Sequence, residues 1–150
     1  MPARTPAMHP ARALPIGALS KATGVKVPTI RYYEQIGLMG AAPRTASNRR
    51  SYGSDDIRRL AFIRHARDLG FEIDEIRQLV ELAAAPGAPC ADADAIAARH
   101  LAAIEERISR LTALRDEIAR MVTQGRHGSI GECRVIAVLA DHGQCADDHH

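Results

Sequence analysis

Apolar positions along the chain fall into blocks punctuated by glycine and proline, and their spacing changes from block to block. Ile16, Leu19 and Ala22, followed by Thr23-Gly24, read as a short helix stopped by glycine. Pro28 takes a first helical position, where its missing N–H costs nothing. Ile30, Tyr33 and Ile36 then recur at three-residue spacing, and Gly37 closes this second helix. Two short helices joined by a tight glycine-containing turn predict a helix-turn-helix. Lys26 lacks the side-chain oxygen of a good helix cap. From Leu38 to Tyr52 the helical period is lost, and Gly40, Pro43, Ser47, Asn48, Arg49 and Arg50 suggest a β-turn-β wing with its tip at Ser47-Asn48. Ser54 is expected to cap a third helix, with Asp55 and Asp56 in its first turn and a stripe of Ile57, Leu60, Ala61, Ile63 and Ala66 ending at Leu69-Gly70. Phe71 leads into a fourth helix carrying Ile73, Ile76, Leu79 and Val80; Ala83 to Pro89 reads as a linker, closed by Cys90.

The longest periodic segment runs from Ala91 to Thr123. Ala97, Leu101, Ile104, Ile108, Leu111, Arg115, Ile118 and Val122 alternate spacings of four and three without a break, and seven of the eight are apolar. That is the narrow seam of a coiled coil rather than a broad amphipathic face. A helix of this length measures roughly 50 Å at 1.5 Å per residue. The chain offers no second heptad segment, so the expected partner is another copy, most simply antiparallel in a two-fold dimer. The alternative is a seam buried against its own domain. A Gly/His loop follows, then a short apolar helix (Val135, Ile136, Val138, Leu139) and a His/Cys/Asp tail.

Composition narrows the class. Aromatic residues make up 3% of the chain, with no Trp, which disfavours an all-β sandwich or barrel. No apolar stretch approaches the ~18 residues of a membrane span. Residues 1–15 have no apolar h-region and read as a proline-rich disordered tail. Three cysteines are an odd number and point to a reducing, cytoplasmic compartment. No nucleophile-elbow, phosphate-loop or paired-carboxylate motif is evident, so no enzymatic activity is expected. The net charge of +2 hides an asymmetry: residues 1–70 hold twelve Lys/Arg against four Asp/Glu, and residues 71–150 eight against fourteen. A basic half suits the phosphate backbone of nucleic acid; the acidic half would be repelled by it and must serve another purpose.

The run Ile16-Gly17-Ala18-Leu19-Ser20-Lys21-Ala22-Thr23-Gly24-Val25, followed by Thr29-Ile30-Arg31-Tyr32-Tyr33-Glu34-Gln35-Ile36-Gly37-Leu38, resembles the mercury-resistance regulator (MerR) family. Pro43-Arg44, Arg50 and Tyr52, then Ile57-Arg58-Arg59-Leu60 through Ala66-Arg67-Asp68-Leu69-Gly70-Phe71, extend the likeness, which covers about residues 16–140. The resemblance implies a mainly α fold: a winged helix-turn-helix DNA-binding domain over 16–82, then a dimerisation and effector region over 83–150 with a long antiparallel helix and a short metal-binding loop and helix. It further implies a homodimer on promoter DNA that works with RNA polymerase by bending and untwisting an overlong promoter spacer. Two positions depart from the family pattern. The usually aromatic wing position is Arg49, and the cysteine common just after the dimer helix is replaced at Gln124 or Gly125.

The expected DNA-contacting set is Lys21, Lys26, Thr29, Arg31, Tyr32, Arg44, Arg49, Arg50 and Tyr52. Phosphate contacts from such residues position a protein but carry little sequence information. Adjacent Tyr32 and Tyr33 should point to different faces, one to the core and one to phosphate. Cys90 and Cys133 flank the long helix, so an antiparallel dimer would bring Cys90 of one chain beside Cys133 of the other. Thiolate and imidazole donors suit Zn(II) and related Cd, Co or Pb ions. His127, His142, Cys145, His149 or His150 would complete the set, whereas His65 and His100 are expected to be structural. The same two thiols would also serve a redox or electrophile sensor. The histidine-rich tail favours metal.

Overall fold

The computed structural model describes residues 14–40, 42, 44, 50–124 and 128–141. The chain divides into two compact units, residues 1–93 and 94–150.

The first unit is built on four short helices: α1 (Ile16–Thr23), α2 (Val27–Gln35), α3 (Ser54–Asp68) and α4 (Ile73–Ala83). α1 packs on α2 and α3, and α3 on α4. Their shared core holds Leu19, Ile30, Tyr33, Leu60, Ile63, Ile76 and Val80, the residues the three- and four-residue spacings select. The turn between α1 and α2 is set by chemistry at Thr23 and Gly24. Thr23 Oγ1 donates to the Leu19 carbonyl (2.9 Å) and accepts from the Val25 N–H (3.3 Å), while Gly24 adopts φ +72°. In that left-handed conformation a side chain is strained by about 1–2 kcal/mol. A Cβ there would also lie 2.0 Å from Arg64 Nη1, the group that donates to the Thr23 carbonyl. Gly24→Ala is therefore expected to cost about 2 kcal/mol, the backbone strain plus a weakened arginine tie. Denaturant unfolding of the variant checks this.

The structure departs from the sequence reading at several places in this unit. Leu14 is part of the fold rather than the tail: its N–H and C=O exchange hydrogen bonds with Tyr52 (2.7 and 2.8 Å), and Pro15 precedes the first turn of α1. Leu38 and Met39 belong to the core, not to a wing strand; each is 1% exposed and both N–H groups bond the Tyr33 carbonyl, which folds the chain beneath the end of α2. Ser54 is the first residue of α3 rather than its cap; Gly53 precedes the helix, and its N–H is satisfied by the Asp56 carboxylate (2.8 Å). Leu69, expected to close the apolar stripe, is 63% exposed. Of the expected wing, the described residues hold only an isolated antiparallel bridge between Arg44 and Arg50; the predicted tip at Ser47-Asn48 lies outside them.

Cys90 opens rather than precedes α5 (Cys90–Gln124), a helix of 35 residues. In the second unit a 3₁₀ turn (Ile130–Glu132) follows, then α6 (Arg134–Ala140), with Cys133 as its N-cap residue. The apolar seam of α5 is bare: Leu101, Ile108, Leu111, Ile118 and Val122 are each more than half exposed. The described residues of the single chain leave this seam uncovered. No helix among the described residues is long and apolar enough to cross a membrane.

Candidate nucleic-acid interface and metal ligands

α2 sorts its side chains by the helical repeat. Ile30 and Tyr33, three apart, enter the core, and Arg31, Tyr32 and Gln35 face outward. The adjacent tyrosines separate as expected, with Tyr33 7% and Tyr32 50% exposed and their ring centroids 6.0 Å apart. Lys21 in the last turn of α1 and Lys26 in the turn are exposed, as are Arg44 and Arg50; Thr29 is half-buried. Arg49 lies outside the described residues.

Arg31, Glu34, Gln35 and Arg50 line an open cavity of about 420 Å³. Two guanidinium groups on its walls suit an anion of phosphate type, which arginine binds through planar, paired N–H donors. Glu34 lies on the same wall of α2 as Arg31, three residues away, but is withdrawn: its side chain is 8% exposed. Arg50 Nη1 donates to Glu34 Oε2 at 2.6 Å, and the Tyr52 hydroxyl donates to Glu34 Oε1 at 2.5 Å. Tyr52 is itself 1% exposed, so the expectation that it touches DNA does not hold in this arrangement. Its burial, followed by its bond to the Glu34 carboxylate, pushes the phenol up to about 12, and it remains a donor throughout the working pH range. Glu34 was absent from the expected set. Its signal was present in the sequence, as one of only four acidic residues among the first seventy.

Several arginines, two of them within the basic first seventy residues, are structural. Arg59 Nε donates to the Leu38 carbonyl (2.9 Å), Arg64 Nη1 to Thr23 (2.5 Å) and Arg77 Nη2 to Ile36 (2.9 Å). The last two carbonyls lie at the C-terminal ends of α1 and α2, where orphan acceptors and the helix dipole both favour a cation.

The thiols of Cys90 and Cys133 are free, the first exposed and the second half-buried. His127, His142, Cys145 and His149 lie outside the described residues, as does His150. Among the described residues no group of three or more His, Cys, Asp or Glu side chains collects in a metal-binding arrangement within one chain. His65 is exposed on α3, lining a largely apolar cavity with Phe62 and Phe71, and His100 is half-buried on α5.

Residues 14–82 match the family described as MerR HTH family regulatory protein, and residues 57–121 that described as MerR, DNA binding. The chain is 37% identical over 131 residues to the HTH-type transcriptional regulator HmrR of Sinorhizobium medicae, covering 87% of this chain and 89% of the relative. It is 36% identical over 126 residues to heavy metal-dependent transcription regulator 2 of Rhizobium meliloti, covering 84% and 86% of the two chains. The crystal structure of the transcription regulator PbrR691 from Ralstonia metallidurans CH34, in complex with lead(II), superimposes with a TM-score of 0.75 at 32% identity, covering 84% of this chain and 98% of that one. The chain belongs to the MerR family of helix-turn-helix transcriptional regulators. Its mainly helical fold, with a helix-turn-helix followed by one long helix, agrees with the sequence reading.

Proposed function

We propose that this chain is a metal-responsive regulator that works as a homodimer on promoter DNA, with residues 16–82 as the winged DNA-binding domain and residues 83–150 as the dimerisation and effector region. The observation that carries the reading is a bare heptad seam on α5 bracketed by two free thiols, Cys90 at its first residue and Cys133 just beyond its end. Pairing two seams would remove five half-exposed branched side chains per protomer from water. An antiparallel pairing would set Cys90 of one protomer beside Cys133 of the partner subunit. Two thiols are soft donors, and they fit Zn(II) or a related thiophilic ion such as Cd, Co or Pb. Relatives of this chain carry heavy-metal dependence and lead(II) in their names, which supports the same class of effector.

In the proposed site the two thiols come from different chains, with His127, His142, Cys145 or His149 supplying the remaining ligands. A bound ion would cross-link the two thiolates. Within the protein, Lys21, Lys26, Arg31, Arg44 and Arg50 would hold phosphates, Thr29 and Tyr32 would approach the duplex from α2, and Arg49 would extend the wing contact. Both apo and metal-bound dimers would occupy a pseudo-palindromic operator. Differential affinity of metal for the two arrangements of the dimer drives the change in promoter twist, and RNA polymerase reads that twist.

Cadmium(II) titration tests the reading, because cadmium–thiolate coordination absorbs in the near ultraviolet where the free thiols do not. The expected outcome is a saturable thiolate band together with metal-dependent transcription from a promoter carrying the selected operator. Absence of a thiolate band at stoichiometric metal, with the chain folded and dimeric, overturns the effector assignment.

A further inference from the structure

Three residues far apart in sequence meet at one buried carboxylate. Glu34 lies on α2, and its two oxygens are divided between partners 16 and 18 residues away, Oε2 taking Arg50 and Oε1 taking Tyr52. Arg50 and Tyr52, two apart, are each an isolated antiparallel bridge residue, and both side chains reach the same carboxylate. The bridges pin Arg50 to Arg44 and Tyr52 to Leu14. The carboxylate therefore ties the inner edge of the wing to the helix of the helix-turn-helix.

A carboxylate beside a phosphate-binding surface is unfavourable on charge alone, and a buried one costs desolvation unless paired and hydrogen-bonded. Here both conditions are met. Glu34 is 8% exposed and its charge is matched by Arg50, while the Arg50 side chain keeps 40% of its surface in water. Guanidinium has five N–H donors, so the bond from Nη1 to Glu34 leaves donors for an incoming anion. The exposed part of Arg50 shares the walls of the 420 Å³ cavity with Arg31.

We propose that Glu34 is the positioning residue of the DNA-binding surface: it holds the Arg50 guanidinium beside Arg31 in the geometry that meets a phosphate. The inference rests on the reading of α2 and the wing as the DNA-contacting face. It makes an unusual claim about sign. Removing a negative charge from a DNA-binding face should tighten binding through Coulomb attraction, whereas loss of a positioning residue should weaken it.

The test uses the full-length protein and a duplex enriched from a random-sequence library by the wild type. Glu34→Gln keeps the volume and an acceptor for the Tyr52 hydroxyl but releases Arg50. It is expected to weaken binding to that duplex about tenfold at fixed salt, although the protein has become more basic. In an Arg50→Ala background, already weakened and with its salt slope lowered by about one unit, Glu34→Gln should bring no further loss. Nitrogen-15 relaxation of the Arg50 side chain adds a signature that fold stability does not move: Glu34→Gln should leave Arg50 mobile in the free protein. Should Glu34→Gln fail to fold, Tyr52→Phe runs the same cycle with an expected loss of about threefold, again absent without Arg50. Unchanged or tighter binding by Glu34→Gln overturns the positioning role, as does an equal loss with and without Arg50. Failure of the wild type to enrich any duplex overturns the DNA-binding reading itself, and this inference with it.

Discussion

Ile104→Asp combined with Ile108→Asp is expected to leave the chain monomeric and unable to hold two half-sites at once. Both side chains lie on the seam of α5, 38% and 57% exposed in the single chain, so the substitution removes nothing from the interior of either unit. In a two-fold dimer each change is made twice. Full burial of an isoleucine contributes about 1.5–3 kcal/mol, so the four partly exposed side chains together remove roughly 3–6 kcal/mol of association energy. Four carboxylates placed in the seam add a desolvation penalty. At about 6 kcal/mol the shift is more than four decades in the dissociation constant, enough to dissolve a tight dimer at micromolar concentration. Sedimentation equilibrium reads the mass directly, and helical circular dichroism confirms that α5 persists in the monomer. An intact dimer in this variant would refute the seam assignment. Operator affinity should fall with the dimer, because one helix-turn-helix then loses the second half-site that the dimer's spacing provides.

The parts of the fold that follow local rules were legible from the chain. Gly24 and Gly37 both sit at positive φ just past a helix, where a left-handed residue is needed, and Pro28 stands in the first turn of α2. The split of Tyr32 from Tyr33 follows from the helical repeat alone. The long helix was recovered to within a residue at each end, Ala91–Thr123 against Cys90–Gln124, because an unbroken heptad has no competing reading.

What escaped depends on pairings between segments. Leu38 and Met39 look like wing residues in a stretch without period, yet two consecutive core side chains are what a chain reversal beneath α2 demands. The charge count of the first seventy residues does not say which of the twelve basic side chains face a partner and which serve the fold. In the structure Arg59 and Arg64 spend their donors on backbone carbonyls across α1–α3, and Arg58 pairs with Asp55 on the surface. Only the tertiary arrangement separates those arginines from Arg31 and Arg50. Tyr52 illustrates the same point in reverse: a polar aromatic on the wing reads as a surface contact, but its ring fills the core and its hydroxyl is committed to Glu34. The proposed metal ligands are legible only as residue types, because what would bring Cys90 and Cys133 together is a pairing of two chains, which no local pattern in one sequence records.

That pairing gives the second large effect. Cys90→Ser and Cys133→Ser are each expected to abolish the metal response while leaving DNA affinity near wild type, because neither thiol lies in the basic first seventy residues, where the phosphate contacts are proposed. Serine preserves volume and removes the soft donor, so structural loss is small at an exposed Cys90 and modest at a half-buried Cys133. Mixed dimers discriminate between site architectures. Pairing a Cys90→Ser chain with a Cys133→Ser chain leaves, in the intersubunit arrangement, one end with both thiols and the other with neither. Such a heterodimer should bind cadmium at half the wild-type stoichiometry, with native affinity at the surviving end if the two ends act independently. If each site lay within one chain, every site would lack one thiol and no native-like affinity would remain. Differentially tagged chains, purified as heterodimers and titrated with competitive chelation, separate these outcomes. Loss of all native-affinity binding sinks the shared-site geometry, and full metal response in both single variants sinks the cysteine assignment altogether.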